Sequence, residues 1–206
     1  MRKQATIEMN KSLWISLGIS QLIYILLIPV WFRLLAYLHP IVLSVIWICQ
    51  TTLVMFVVYY VRKGTVNISK TLLKIMMGLY STGLLVLLFF RPANQVYSQI
   101  NYVPFNTIGG FLNGDGNFLI AFYNLTANIL LFIPYGVTTL MISRGLSWWK
   151  LVLIPAVCII LIETMQYLSK RGSMDIDDFI LNLFGVWIGY ALSPIIQKVI
   201  KVQNRK

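Results

Sequence analysis

Three carboxylates, Asp175, Asp177 and Asp178, open the stretch DIDDFILNLFGVWIG at residues 175–189. They are half of the six acidic residues in the chain, and they stand at the mouth of an apolar run. Carboxylates in that place can accept bonds from the free N–H groups of a starting helix. They can also hold a divalent cation or receive the donors of a polar ligand. Capping accounts for one of the three and leaves two. Asn182 lies one turn deeper, in the stripe Asp178, Asn182, Gly185, Gly189 at i, i+4, i+7 and i+11. Its last two members have the small-xxx-small spacing that lets a second helix approach, so Gly185 and Gly189 are read as packing residues.

A second cluster lies upstream. Glu163 stands in the apolar stretch LVLIPAVCIILIETMQYL (151–168), with Gln166 at i+3 and Lys170 at i+7 on the same helical face. A carboxylate in mid-membrane costs about 2.5–3.5 kcal/mol on insertion scales, so it must face protein or water and have a partner. Asn124 and Asn128 form another i, i+4 pair, followed by Pro134, which predicts a helix kink.

The elements that carry these residues are membrane spans. Of 206 residues, 58% are hydrophobic and only 11% charged, against about 25% charged in a typical soluble domain. Six stretches reach the ~20 apolar residues needed to cross a bilayer: 12–32, 41–61, 72–90, 119–141, 148–168 and 179–199. They are continuous and lack the period-two alternation of a membrane barrel. The expected fold is all-α, a polytopic bundle of about six transmembrane helices. The basic start is followed by a long apolar run without a small-residue cleavage site, so the first span is read as retained. Cys49 and Cys158 fall in separate spans and are expected as packed thiols.

A net charge of +11 can signal nucleic acid, but its distribution argues for topology. Thirteen basic residues fall in one alternate set of connecting segments and four in the other, which predicts both termini inside. Segments 33–40, 91–118 and 169–178 are then outside. The tip of 91–118 is turn-rich, while NYVPFNTI (101–108) is too apolar for a free loop and is expected against the interface or the bundle. Depth then follows from helix rise. Glu163 lies thirteen residues beyond Lys150, ~20 Å at 1.5 Å per residue, in the outer third of the bilayer. Asn128, Glu163, Gln166, Asp175, Asp178 and Asn182 thus share one side of the membrane. They are expected to line an outward-facing polar pocket, with Lys170 and Arg171 at its rim.

These residues resemble the VanZ-like family of bacterial membrane proteins. The resemblance runs through NYVPF (101–105), NILLFIPYG (128–136), ETMQ (163–166) and DIDDFILNLFGVWIG (175–189), four blocks in order and register. It marks Asn101, Pro104 and Phe105 as an external motif and ranks Asp177 below Asp175 and Asp178. It implies a division into an N-terminal three-helix region (1–92), a VanZ-like domain (93–200) and a basic cytoplasmic tail (201–206). It further implies a bacterial plasma-membrane location and a link to resistance against teicoplanin-type lipoglycopeptides.

The first functional expectation is a protein that binds or remodels a membrane lipid or lipid-linked cell-wall precursor. The alternative is a membrane enzyme acting on a lipid-linked (pyro)phosphate or glycan, with Mg²⁺ on Glu163, Asp175 and Asp178. A flippase has less support, because the inner side lacks matching polar residues, and a structural partner of larger complexes is a fourth reading. His39 is the only histidine and sits beside Pro40, an interfacial loop position that leaves no His pair for zinc hydrolysis. No nucleic-acid partner is expected.

Overall fold

The computed structural model describes residues 2–34, 41–89, 100–112, 118–143 and 145–203. His39, Arg91, Arg144, the turn-rich tip at 113–117 and the basic residues Arg205 and Lys206 lie outside the described residues. The elements run α1 (Arg2–Leu34), α2 (Ile41–Val61), β1 (Val66–Ser69), α3 (Lys70–Phe89), β2 (Ile100–Asn101) and α4 (Asn106–Leu112). They continue with α5 (Phe118–Ile142), α6 (Trp148–Leu168), β3 (Met174–Asp175), α7 (Ile176–Val199) and β4 (Ile200–Gln203).

The all-helical membrane reading holds. Five helices are long and apolar enough to span a bilayer: Lys11–Arg33, Lys70–Phe89, Phe122–Ile142, Trp148–Leu168 and Ile176–Val199. The sixth expected span falls on α2, whose apolar stretch Ile46–Val61 is shorter. Helices are what such sequences must form, since hydrocarbon offers no partner for a backbone N–H or C=O. Their outward faces follow the same logic. Leu79 and Leu168 are exposed, which suits an acyl-chain solvent and not water. Cys49 and Cys158 correct the packed-thiol expectation: both are free and exposed.

The chain divides into two compact units, Met1–Asn67 with Lys198–Lys201, and Ile68–Gln197 with Val202–Lys206. In the first unit, α1 and α2 form an antiparallel hairpin. Ser12, Ser16 and Ser20 recur every four residues and are buried, giving α2 a flat face to approach. The Ser20 hydroxyl donates to Thr51 Oγ1 (2.8 Å), Gln50 Nε2 to the Ser20 carbonyl (3.0 Å), and Trp47 Nε1 to Gln21 Oε1 (2.9 Å).

In the second unit, α3, α5, α6 and α7 share a core of Leu84, Leu88, Phe132, Ile159 and Val186. Hydroxyls bind α3 to α5 as well: Tyr80 donates to the Leu131 carbonyl (2.8 Å) and Tyr135 to Ser81 Oγ (3.1 Å). The motif blocks begin at residue 101, but the compact unit that contains them begins at Ile68 and includes α3. The α5–α7 contact is backbone on backbone. A Cβ on Gly136 would run into the Val186 carbonyl, one on Gly185 into the Ile129 carbonyl, and one on Gly189 into the Ile133 carbonyl. α5 continues as a helix through Pro134, and Thr138 Oγ1 donates to the Pro134 carbonyl at 2.6 Å.

The charge asymmetry makes a prediction about orientation. In a protein with Cys49 and Cys158 replaced by serine, Ser169→Cys should react with a membrane-impermeant maleimide in intact cells. Ser147→Cys, at the other end of α6, should react only after permeabilisation. The reverse pattern would turn the molecule over.

Candidate functional site

The three aspartates have three different jobs. Asp175 is the residue before α7, and its Oδ1 accepts the Asp177 backbone N–H (2.9 Å), the N-cap bond to the second helical residue. The same oxygen accepts Asn101 Nδ2 at 3.1 Å, joining the side chains of the one register in which β2 and β3 pair, parallel, beside Ile100 and Met174.

Asp177 is fully buried. Its two oxygens accept the backbone N–H groups of Phe105 (2.5 Å) and Ile108 (3.1 Å), at the start of the seven-residue helix α4. A short helix cannot satisfy its own first N–H groups, and a carboxylate from another element supplies the acceptor. The NYVPF segment is thus held by its backbone while Tyr102, Val103, Pro104 and Phe105 are exposed. Phe105 takes a positive φ of 63°, an unusual conformation for a bulky residue, at the point where its N–H meets Asp177. Asn101 Oδ1 closes the preceding turn by accepting the Val103 N–H (3.1 Å).

Asp178 turns the other way, accepting Asn128 Nδ2 of α5 at 2.5 Å. One turn further along α7, Asn182 Nδ2 donates to Glu163 Oε1 of α6 at 3.2 Å. Gln166, one turn from Glu163, points its Nε2 at the Leu88 carbonyl (3.4 Å). That carbonyl lies in the last turn of α3, the part of a helix whose carbonyls lack intrahelical partners. Glu163, Gln166 and Asn182 are all buried. Four helices therefore converge through polar groups at one end of the unit: α5 through Asn128, α6 through Glu163 and Gln166, α7 through Asp178 and Asn182, and α3 through a backbone oxygen.

The turn between α6 and β3 closes this cluster. The Lys170 N–H bonds the Tyr167 carbonyl (3.0 Å) and the Arg171 N–H the Gln166 carbonyl (2.9 Å), with Lys170 at φ 56°. This is a Schellman motif, with lysine where glycine is usual. It brings Gly172 onto the Gln166 side chain, where an added Cβ would stand 3.2 Å from Gln166 Cβ. Asn128, Glu163, Gln166, Asp178, Asn182 and the Gly172–Ser173 turn enclose a cavity of about 20 Å³. That is room for about one water. Asn182 Oδ1 is a buried acceptor with no protein partner beside it, which a single water or ligand donor would satisfy. Gly172 and Ser173 form the cavity wall; Lys170 and Arg171 form the turn just before it.

Glu163, Asp175 and Asp178 are not gathered as a metal-binding set. Among the described residues, no group of three or more His, Cys, Asp or Glu side chains stands at metal-ligand spacing. The reason is local, because Asp175 is engaged at the β2–β3 end with Asn101 and the α7 cap. Asn124 is exposed and off the cavity wall. Sequence reasoning missed the Leu88 carbonyl, Gly172 and the weight carried by Asp177. Only Gly172 had a visible signal, a glycine directly after two basic residues at a helix end.

Fold and cluster together define a class: a polytopic helical membrane protein with a buried carboxylate–amide network at one end of its bundle. The VanZ/LLP1 family model matches residues 41–197, about three quarters of the chain, and the protein belongs to that family. The match takes in α2 and α3 as well as the four motif blocks. No curated protein and no solved structure matches it.

Proposed function

We propose that this protein contributes to resistance against teicoplanin-type lipoglycopeptides at the bacterial plasma membrane. It does so by binding or remodelling an envelope lipid or lipid-linked cell-wall precursor at the carboxylate–amide cluster. The observation that carries this reading is the pairing of Asn128 with Asp178 and of Glu163 with Asn182 around a small polar cavity. Helix packing in a membrane works well with small apolar residues, and this unit already has them at Gly136, Gly185 and Gly189. Burying carboxylates in addition is expensive unless they are used. The amide and carboxylate groups match the hydroxyl, amide and amine donors of a sugar or peptide headgroup, whose lipid chain stays in the bilayer. At about 20 Å³ the cavity takes a single polar group of such a ligand.

The test is growth on teicoplanin and vancomycin of cells with and without the gene, and with Glu163→Gln or Asp178→Asn. Each substitution keeps shape and hydrogen-bonding capacity but removes a charge. The expected outcome is loss of protection with normal accumulation in the membrane and no dependence on Mg²⁺. Full protection in both variants would refute the charged site. Protection that requires Mg²⁺ in the unaltered protein would assign it instead to an enzyme acting on a lipid-linked (pyro)phosphate. Lost accumulation would mean that the cluster serves the fold alone.

A further inference from the structure

A second cavity, of about 310 Å³, lies in the same unit among α3, α5, α6 and α7. Its floor is Leu84, Phe132, Ile159 and Val186, all buried core residues. Its mouth is bordered by Leu85 of α3 and by Ile154 and Cys158 of α6, all exposed. It therefore opens sideways, on helix flanks that face hydrocarbon. Three of the four hydroxyls on its walls are engaged within the protein. Tyr135 donates to Ser81 Oγ, Ser81 to the Met77 carbonyl (2.8 Å), and Tyr190 to the Leu151 carbonyl (2.9 Å). The walls thus make little polar demand on an occupant, and the one charged side chain on them is Lys150, at the end away from Glu163.

We propose that this cavity takes one acyl chain of an anionic phospholipid, with the phosphate held at Lys150. Length and charge both select that occupant. Lys150 and Ile162, at the two ends of the α6 wall, are twelve residues apart, ~18 Å along the helix. That approximates half of the ~30 Å hydrocarbon core, the depth of one leaflet. At about 310 Å³ it is roughly fifteen times the single-water cavity of about 20 Å³, room for much of a single chain. Trp148 and Trp149, stacked at 3.7 Å, begin α6 directly before Lys150. Tryptophan prefers the headgroup level, which sets the lysine where a phosphate lies. This site is separate from the carboxylate–amide cluster, from which Phe132 divides it by lining both cavities.

The experiment is native mass spectrometry of Cys49→Ser protein released from nanodiscs of equal phosphatidylglycerol and phosphatidylcholine. One retained phosphatidylglycerol per chain is expected. Lys150→Gln should lower the retained phosphatidylglycerol-to-phosphatidylcholine ratio about fivefold, the effect of one lysine near an anionic surface. Alkylating Cys158 with N-ethylmaleimide, which fills the mouth, should remove the adduct, whereas Glu163→Gln should leave it. Retention of the two lipids in their bulk ratio would overturn the proposal. So would an adduct that survives Cys158 alkylation, and loss of the adduct in Glu163→Gln would relocate the lipid to the polar cluster.

Discussion

Asp177→Ala should release the segment around α4 and destabilise the protein by about 3–6 kcal/mol, taking each charge-assisted bond at ~1.5–3 kcal/mol. Asp177 is fully buried and accepts two backbone N–H groups, from Phe105 and Ile108, at the start of a seven-residue helix whose first N–H groups have no intrahelical acceptor. Removing the carboxylate leaves both donors without this acceptor or forces the segment to swing out to water. Hydrogen exchange reads the difference directly: the Phe105 and Ile108 amides should lose protection, and residues 100–112 should become sensitive to protease. Asp177→Asn keeps one oxygen as acceptor and should fall between the two. Unchanged protection at both amides in Asp177→Ala would show that other contacts hold the segment.

Gly189→Leu should have an effect of similar size through a different mechanism. A Cβ at this position meets the Ile133 carbonyl and the Gly136 Cα, which are backbone atoms of α5 and cannot rotate aside. The two helices must separate, and the shared core of Phe132 and Val186 opens with them. Overpacking of this kind costs about 1–3 kcal/mol when side chains can adjust, and more when only backbone can. Gly83→Ala is the matching control, because a Cβ there meets nothing within 4 Å. It should be neutral or stabilising, by up to about 1 kcal/mol of helix propensity. The readout is the amount of protein in the membrane fraction and its midpoint of thermal unfolding in detergent. Equal behaviour of the two variants would contradict the close α5–α7 approach.

The class of fold was legible in the sequence because hydrophobic length is a strong, local signal. Spans at 72–90, 148–168 and 179–199 lie within a few residues of α3, α6 and α7. Side-chain destinations were harder to read. Asp175, Asp177 and Asp178 are nearly consecutive, yet one caps its own helix, one holds a segment some seventy residues upstream and one reaches α5. Those destinations depend on the β2–β3 pairing and the Schellman turn, neither of which has a motif. The buried Asp177 was ranked below Asp175 and Asp178 on the family resemblance alone, which carries no sign of the two backbone N–H groups it accepts. The Leu88 carbonyl had no signal at all, since every residue carries one. The thiols misled for a physical reason: cysteine packs in aqueous proteins, whereas in a bilayer an exposed helix flank is equally apolar.

In the proposed function, the carboxylate–amide cluster of Asn128, Glu163, Asp178 and Asn182 recognises an envelope-lipid headgroup. The most direct measurement is the identity of lipids that remain with the protein purified from its own membrane, compared with a Glu163→Gln, Asp178→Asn double variant. Besides the phosphatidylglycerol expected at Lys150, one headgroup class should be enriched over the bulk membrane in the unaltered protein and return to its bulk proportion in the double variant, with both proteins equally folded. Bulk proportions of every other headgroup in both preparations, or enrichment of that second class that the double variant keeps, would contradict recognition at the cluster.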